Sequence, residues 1–193
     1  MTGVPRASPY LLLTLAPLFW ALNVVVGRAM RFDIPPVAMS FWRWTIAGLI
    51  LLPLVARDLR LRWPTIRAAW KRLALLGLLS VTLFNTLCYI GLQWTTATNA
   101  ALFNSVIPVF IIPIAWTLFG ERAGARQVFG VLLSLLGVLI IVAQGSVDTL
   151  IGLHFNRGDL WLLAAMLLWA FYTVLLRLRP SALNGLSFLA CIV

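Results

Sequence analysis

Charged residues are scarce in this sequence, and acidic residues are the scarcest. Charged residues make up 10% of the 193 residues, and Asp and Glu together number five. Soluble domains carry about 25% charged residues, whereas apolar residues reach 62% in this chain. The composition therefore excludes an ordinary soluble domain and predicts a membrane protein with the lipid bilayer as its main partner.

The residue types that build metal and redox sites are also few. The chain has one histidine, His154, and two cysteines, Cys88 and Cys191, which lie in apolar runs without a CxxC spacing. We therefore expect no metal site, no cofactor and no redox pair. A nucleophile with its base at membrane depth is missing as well, so we do not expect an enzyme. The sequence has no G-x-x-x-x-G-K-[ST] loop, which excludes ATP hydrolysis by this chain.

Basic residues outnumber acidic ones and give the chain a net charge of +10. They lie in short segments between apolar runs and form no basic face with interleaved aromatics, which argues against nucleic-acid binding. Cytoplasmic loops are the ones enriched in Lys and Arg, so we expect a cytoplasmic N-terminus in a bacterial-type inner membrane. The basic residues on that side would be Arg6, Arg57, Arg60, Arg62, Arg67, Lys71, Arg72, Arg122, Arg126, Arg177 and Arg179.

Six apolar stretches are each long enough to cross a bilayer as a helix. A seventh begins at Leu183 and is too short to span by Val193. Because a helix cannot end within lipid with unpaired backbone groups, we expect an all-α membrane protein whose natural chain continues beyond Val193. The six stretches cover residues 10–30, 37–56, 73–94, 98–119, 127–143 and 160–177.

The sixth stretch is similar to the first. Trp20 and Arg28 recur at the same spacing as Trp169 and Arg177, and alanine follows both tryptophans. The repeat unit contains five spans, an odd number, so the second copy crosses the membrane in the opposite sense. This predicts an inverted repeat, from which many secondary transporters are built. We expect a first five-helix repeat over residues 1–145, an outer loop over 146–158 and the incomplete start of a second repeat over 159–193.

The order of small residues, proline and glycine between Asn99 and Ile141 is distinctive. In this order, and in Arg43 after Pro35-Pro36, the chain resembles the EamA-type domain of the drug/metabolite transporter superfamily. The resemblance implies ten helices in two inverted five-helix repeats with a substrate cavity between them. The aromatic-rich membrane face is also similar to that of exporters of metabolites and amino acids, including aromatic ones. The residues that carry the resemblance are Ala100-Ala101, Pro108, Phe119-Gly120-Glu121, Gly130 and Gly137.

The third apolar stretch carries the clearest polar stripe. Its members recur at helical spacing and share one side of a helix. Side chains facing lipid find no hydrogen-bond partner, so the stripe must face other helices or a wet cavity. Bonding between packed helices is one interpretation, and cavity lining, which we favour, is the other. The stripe consists of Thr82, Asn85, Thr86, Tyr89 and Gln93, and we predict that the first four bind substrate.

Other spans offer side chains to the same site. Trp20 and Asn23 share a face of the first stretch, and Asn104 lies on the fourth. Trp169 and Tyr172 hold equivalent places on the sixth stretch. We predict that all five contact the substrate, with simple packing as the alternative for the two tryptophans.

Two prolines and one row of small residues have conformational interpretations. Pro17 and Pro108 remove backbone hydrogen bonds and are the candidate hinge or gating residues, with a fixed bend as the alternative for Pro17. Gly130, Ser134 and Gly137 form a seam that we expect to pack tightly against another helix.

Arg43 is an ionised side chain well inside a predicted span, where a charge is costly. It either binds a substrate carboxylate or pairs with backbone carbonyls and holds helices together, and its aromatic neighbours favour the second interpretation. Glu121 closes the fourth stretch, and we expect it to cap that helix or to pair with Arg122 or Arg126. No acidic residue lies within a span, so a proton-coupling residue is not visible.

These features predict a secondary transporter that exports amino acids or related small metabolites by alternating access. A channel-like facilitator and a non-transporting structural subunit are the alternatives. A channel usually shows a selectivity filter or a ring of like charges, and a structural subunit would leave the polar stripe unexplained. The pattern predicts neither the particular substrate nor the oligomeric state.

Overall fold

The computed structural model describes residues 8–143 and 156–193, which fold into helices. Arg6, His154 and most of the predicted loop at 146–158 lie outside the described residues. A π-helical segment, Leu78–Leu83, joins α4 to α5, and a 3-10 turn follows α9. The all-α prediction is confirmed. The helices are α1 (Pro9–Ala29), α2 (Pro36–Leu61), α3 (Trp63–Ala68), α4 (Trp70–Gly77), α5 (Phe84–Gly91), α6 (Ala97–Asn104), α7 (Ile107–Phe119), α8 (Ala125–Ala143), α9 (Arg157–Leu175) and α10 (Gly185–Ile192).

Four helical stretches are long and apolar enough to cross a membrane, and they correspond to the second, third, fourth and sixth predicted spans. The prediction of a multi-pass membrane protein is thereby confirmed. The first and fifth predicted spans hold shorter apolar helices, Leu13–Ala29 and Ala125–Ile140, and their crossing stays a prediction. The four stretches are Pro36–Leu61, Trp70–Gly91, Ala97–Phe119 and Arg157–Leu178.

Helix α9 lies at the centre of the bundle. It packs against α5, α6, α7 and the π-helical segment, and Leu162, Ala165 and Ala170 along it have no exposed surface. Large apolar side chains on α1, α2 and α8 are exposed instead, as expected of surfaces that face hydrocarbon.

Helices α1 and α9 run antiparallel. Trp20 of α1 contacts Trp169 of α9, whereas Val24, one turn further along α1, packs in the cluster of Leu162, which lies earlier in α9. An inverted repeat requires this opposite sense. Descent of the two helices from one repeated unit stays a prediction.

The two ends of the bundle differ in charge. The end at which α1 begins also holds the end of α2, the whole of α3 and the end of α9, together with most of the arginines. We call it the basic end. The other end, where α1 finishes and α9 begins, is called the opposite end.

Two predicted spans are not single regular α-helices. The third contains the π-helical segment Leu78–Leu83, and the fourth breaks at Ser105 and Val106, between α6 and α7. Pro108 lies in the first turn of α7 instead of mid-helix, at a position where the missing N–H of proline costs no helical hydrogen bond. Pro17, by contrast, lies inside a continuous α1.

The expected partner of Glu121 was wrong. Gly120 ends α7 in the left-handed region, at φ 69°, a conformation that glycine adopts without steric cost. The chain then turns Glu121 towards the end of α9, where Arg177 bonds it through both guanidinium nitrogens, the second at 2.9 Å. Glu121 therefore links α7 to α9 instead of pairing with Arg122 or Arg126.

The expected packing of the small-residue seam on α8 is not seen among the described residues and stays a prediction. A Cβ added to Gly130 or Gly137 would meet no atom within 4 Å, and Ser134 is exposed. Within the described residues, no helix covers this seam.

Candidate functional site

A polar network joins α1, α2 and the third predicted span at positions nearer the opposite end than the basic end. Arg43 Nη1 donates to Asn23 Oδ1 at 2.7 Å, and Arg43 Nη2 donates to Asn85 Oδ1. The Tyr89 hydroxyl donates to the same Asn23 oxygen at 2.7 Å. One arginine thus fixes side chains from two other helices.

Asn85 is held in place by the π-helical segment before it. Its Nδ2 donates to the carbonyl oxygens of Ser80 at 2.7 Å and Val81 at 3.2 Å, and the side chain is 6% exposed. The wider π-helical turn changes which backbone carbonyls are free to accept a side-chain donor. Both ends of the Asn85 amide are therefore used in the protein interior.

Arg43 bonds to side-chain amides and not to the backbone carbonyls that we expected. Its guanidinium also lies over two aromatic rings, 4.6 Å from the Trp44 centroid and 5.6 Å from the Tyr89 centroid. Its Nε is buried and has no hydrogen-bond partner in the described part of the chain. No carboxylate is among its described bonding partners, so its charge is balanced only by dipoles and rings.

A small cavity lies beside this network, between α1, the third predicted span, α6 and α9. Its volume is about 20 Å³, enough for one water molecule. Five of the nine predicted substrate-binding residues line it: Trp20, Asn23, Asn85, Tyr89 and Asn104. The remaining lining is apolar and comes from Val24, Phe84, Cys88, Leu92, Ala100, Leu162 and Met166.

Two more predicted residues form an aromatic cluster on the basic-end side of the cavity. The Trp169 ring lies 5.2 Å from Trp20 and 4.6 Å from Phe84, centroid to centroid. Tyr172 packs against the Trp169 ring at 5.0 Å between centroids, with the two planes tilted by 46°. The cluster lies between the cavity and the basic end.

Hydrogen bonds link the helices on the side of the cavity that faces the opposite end. Arg28 Nη1 donates to the carbonyls of Leu92 at 2.5 Å and Gln93 at 3.0 Å. Thr95 Oγ1 donates to Asp159 Oδ1 at 2.7 Å, and Asp159 is 3% exposed. These contacts tie α1 and α9 to the end of α5.

The remaining two predicted residues, Thr82 and Thr86, lie elsewhere. They line a separate depression of about 250 Å³ between α2 and the third predicted span, together with Ser40 and Thr45. The polar stripe is therefore divided between two surfaces, because its edges face different neighbouring helices.

The apolar lining and the contacts at the opposite end were not predicted from the sequence. Leu92, Leu162 and Met166 could equally have faced lipid, so their identity carries no signal. Asn156 and Asp159 form a capping box at the start of α9, and their spacing is a recognisable helix-start pattern. That pattern could have marked Asp159 as a buried structural residue.

Metal binding finds no support in the described part of the chain, where no three His, Cys, Asp or Glu side chains lie close enough to hold an ion. The polar groups at the cavity are amides and a phenol. Such groups bind a small polar molecule through hydrogen bonds.

Comparison with known proteins places this arrangement in a family. Residues 7–143 match the EamA-like transporter family. An uncharacterized transporter of Archaeoglobus fulgidus is 32% identical over 174 residues, which are 88% of this chain and 57% of that protein. The uncharacterized transporter YyaM of Bacillus subtilis is 28% identical over 140 residues, 72% of this chain and 46% of that protein.

A more distant relative is a WAT1-related protein of Arabidopsis thaliana, 24% identical over 131 residues, which are 67% of this chain and 35% of that protein. The chain thus spans about half the length of the curated relatives it matches. No solved structure matches it.

Proposed function

This chain belongs to the EamA-like transporter family, and on that premise we propose that it is a secondary transporter that exports amino acids or related small metabolites. The relatives described above are likewise named transporters. We propose alternating access across a bacterial-type inner membrane as its mechanism, with the basic end in the cytoplasm.

The observation that carries this proposal is the small cavity with amide and aromatic walls. Trp20 and Tyr89 offer stacking surface, and the Asn23 and Asn104 side chains offer hydrogen bonds that can orient a polar substrate. Asn85 contributes by holding Arg43 in place. Trp169 and Tyr172 extend the aromatic wall. Thr82 and Thr86 remain candidates for a second polar surface facing α2.

Closures on both sides of the cavity support alternating access. A substrate larger than one water molecule can enter only when the aromatic cluster or the Arg28 and Asp159 contacts open. A carrier requires two such closures that open in turn around a single site. Pro17, one turn before Trp20, and Pro108, just after the break in the fourth span, are the hinges that we propose.

Transport by the reconstituted protein tests this function. We expect the full-length protein in proteoliposomes to move radiolabelled L-amino acids with saturable rates and counterflow, which distinguish a carrier from a pore. Asn85→Leu and Tyr89→Ala are expected to lower the rate by about tenfold or more, the effect of losing one or two buried hydrogen bonds.

Thr117→Val provides the control, because Thr117 is exposed and bonds only to its own helix backbone. Its rate is expected to match that of wild type. Thermal unfolding of each purified variant verifies that it is folded. Unchanged rates in both Asn85→Leu and Tyr89→Ala would remove these residues from the site, and the absence of flux for every amino acid would reject the proposed function.

A further inference from the structure

We infer that Asn23 and Asn104 form a recognition pair for an α-amino acid, in which Asn23 binds the carboxylate and Asn104 binds the ammonium group. This inference rests on the proposed function and names the substrate groups that the same cavity recognises. It follows from which atom of each amide is left free.

The orientation of the Asn23 amide is determined by its partners. An arginine side chain can only donate hydrogen bonds, so the Asn23 atom 2.7 Å from Arg43 must be the oxygen. Tyr89 donates to that oxygen as well. Asn23 Nδ2 bonds to no other described residue, and Asn23 lines the cavity. Asn23 Nδ2 is therefore a donor without a described partner, on a residue of the cavity wall.

The orientation of the Asn104 amide is determined in the opposite way. Asn104 Nδ2 lies 3.3 Å from the carbonyl oxygen of Ala100, and a carbonyl can only accept a hydrogen bond. The nitrogen is therefore used within α6. Asn104 Oδ1 accepts no bond from the described residues, and Asn104 lines the same cavity. Asn104 Oδ1 is therefore an acceptor without a described partner, on a residue of the same wall.

The position of Arg43 decides which of the two asparagines binds the carboxylate. Its guanidinium bonds directly to Asn23 and to neutral groups only, and its Nε is buried without a partner in the described chain. A buried charge without a counterion is unfavourable, so an anion beside Asn23 would offset it. Donation to the Asn23 oxygen also polarises the Asn23 N–H and strengthens it as a donor.

Asn104 has no bond to Arg43 and offers an oxygen, which suits a cation. The two free groups therefore match the two charged groups of an amino-acid zwitterion. The tryptophan and tyrosine rings of the cavity remain for its side chain. Arg43 acts as a positioning residue in this arrangement, since it reaches the substrate only through Asn23.

Three probes and two variants test the assignment. The probes are L-phenylalanine, phenethylamine, which lacks the carboxylate, and 3-phenylpropanoate, which lacks the ammonium group. Binding is measured on the full-length protein by quenching of tryptophan fluorescence. Asn23→Asp keeps the acceptor for Arg43 and Tyr89 but removes the donor, whereas Asn104→Leu removes the acceptor.

We expect a crossed pattern of affinities. Asn23→Asp should lower the affinity for L-phenylalanine and 3-phenylpropanoate by about 10- to 100-fold, the range for one hydrogen bond to a charged group. The affinity for phenethylamine should not fall. Asn104→Leu should lower the affinity for L-phenylalanine and phenethylamine to a similar degree. The affinity for 3-phenylpropanoate should not change. Gln127→Glu makes the same amide-to-acid change on exposed α8 and should alter none of the three.

A merely structural role of Asn23 predicts a different result, because Asn23→Asp retains the bonds to Arg43 and Tyr89 and would then bind all probes like wild type. That outcome, or equal weakening of all three probes, overturns the inference but leaves the transport proposal standing. Failure of the wild type to bind L-phenylalanine while it transports another amino acid also overturns it. Loss of all amino-acid flux in the wild type instead rejects the proposed function itself.

Discussion

Two glycines bring the third span and α9 into backbone contact near the opposite end. A Cβ on Gly91 would lie 2.9 Å from the Gly158 carbonyl oxygen and 3.0 Å from Leu162 Cγ. A Cβ on Gly158 would lie 2.4 Å from the Gly91 carbonyl oxygen. These approaches involve backbone atoms, which cannot rotate away, so the contact requires glycine on both helices.

We expect Gly91→Ala to lower the free energy of unfolding by about 1–3 kcal/mol, the usual cost of overpacking an interior. Thermal unfolding in detergent micelles measures the effect. Gly130→Ala is the matched control, since a Cβ there meets nothing within 4 Å and alanine is the better helix former by about 0.8–1.0 kcal/mol. Equal destabilisation by both substitutions would show that the close contact does not matter.

Residue types alone predicted part of the site. Polar or aromatic character alone predicted five binding residues that the structure places around one cavity: Trp20, Asn23, Asn85, Tyr89 and Asn104. Their role in binding stays a prediction. The partners of Arg43 were not predictable from the sequence. Several polar side chains lie at similar heights along the predicted helices, and only the packing of those helices selects among them.

At the scale of elements, the irregular parts of the helices decide which side chains meet. The π-helical segment supplies the carbonyls that hold Asn85. No residue in Leu78–Leu83 predicts a π-helix from the sequence. The break before Pro108 has a local cause, since proline favours the first turn of a helix. A proline signal is readable in a sequence, whereas a π-helical turn that depends on packing is not.

The bond between α7 and α9 is expected to depend on pH. Donation from Arg177 lowers the pKa of the Glu121 carboxyl below its ordinary value of 4.5. A lowered pKa in the folded state means that the bond stabilises the protein above the ordinary pKa, and that this contribution is lost as pH falls through the lowered value.

Glu121→Gln should therefore melt at a slightly lower temperature than wild type at about pH 7, and the difference should diminish as the pH falls below the ordinary pKa of the carboxyl. Thermal unfolding at a series of pH values measures this. Asp33→Asn is the control, because Asp33 is an exposed acid whose side chain bonds to no described residue, and it should track wild type throughout. A difference for Glu121→Gln that persists at low pH would contradict the explanation.

In the molecule as a whole, most of the basic residues lie at one end of the helix bundle. The exposed side chain of Arg67 on α3 lies at the basic end, and the exposed side chain of Thr98, in the first turn of α6, lies at the opposite end. If cytoplasmic segments hold the excess of Lys and Arg, these two positions lie on different sides of the membrane.

A membrane-impermeant maleimide tests this orientation. Thr98→Cys should react in intact cells, and Arg67→Cys should react only after the cells are opened. The unsubstituted protein is the control for the native cysteines, Cys88 and Cys191, which are both partly buried. Labelling of Arg67→Cys in intact cells would reverse the proposed orientation.

Composition and the lengths of the apolar runs predicted the all-α membrane class and the approximate limits of the long helices, because these properties depend on local chemistry. The order of small residues, proline and glycine pointed to the family. Helix packing alone brings Asn23 and Asn85 to one arginine, carries Glu121 to Arg177 and divides the polar stripe between two surfaces. Such pairings depend on how distant helices pack, and apolar side chains look the same in a sequence whether they face lipid or a cavity.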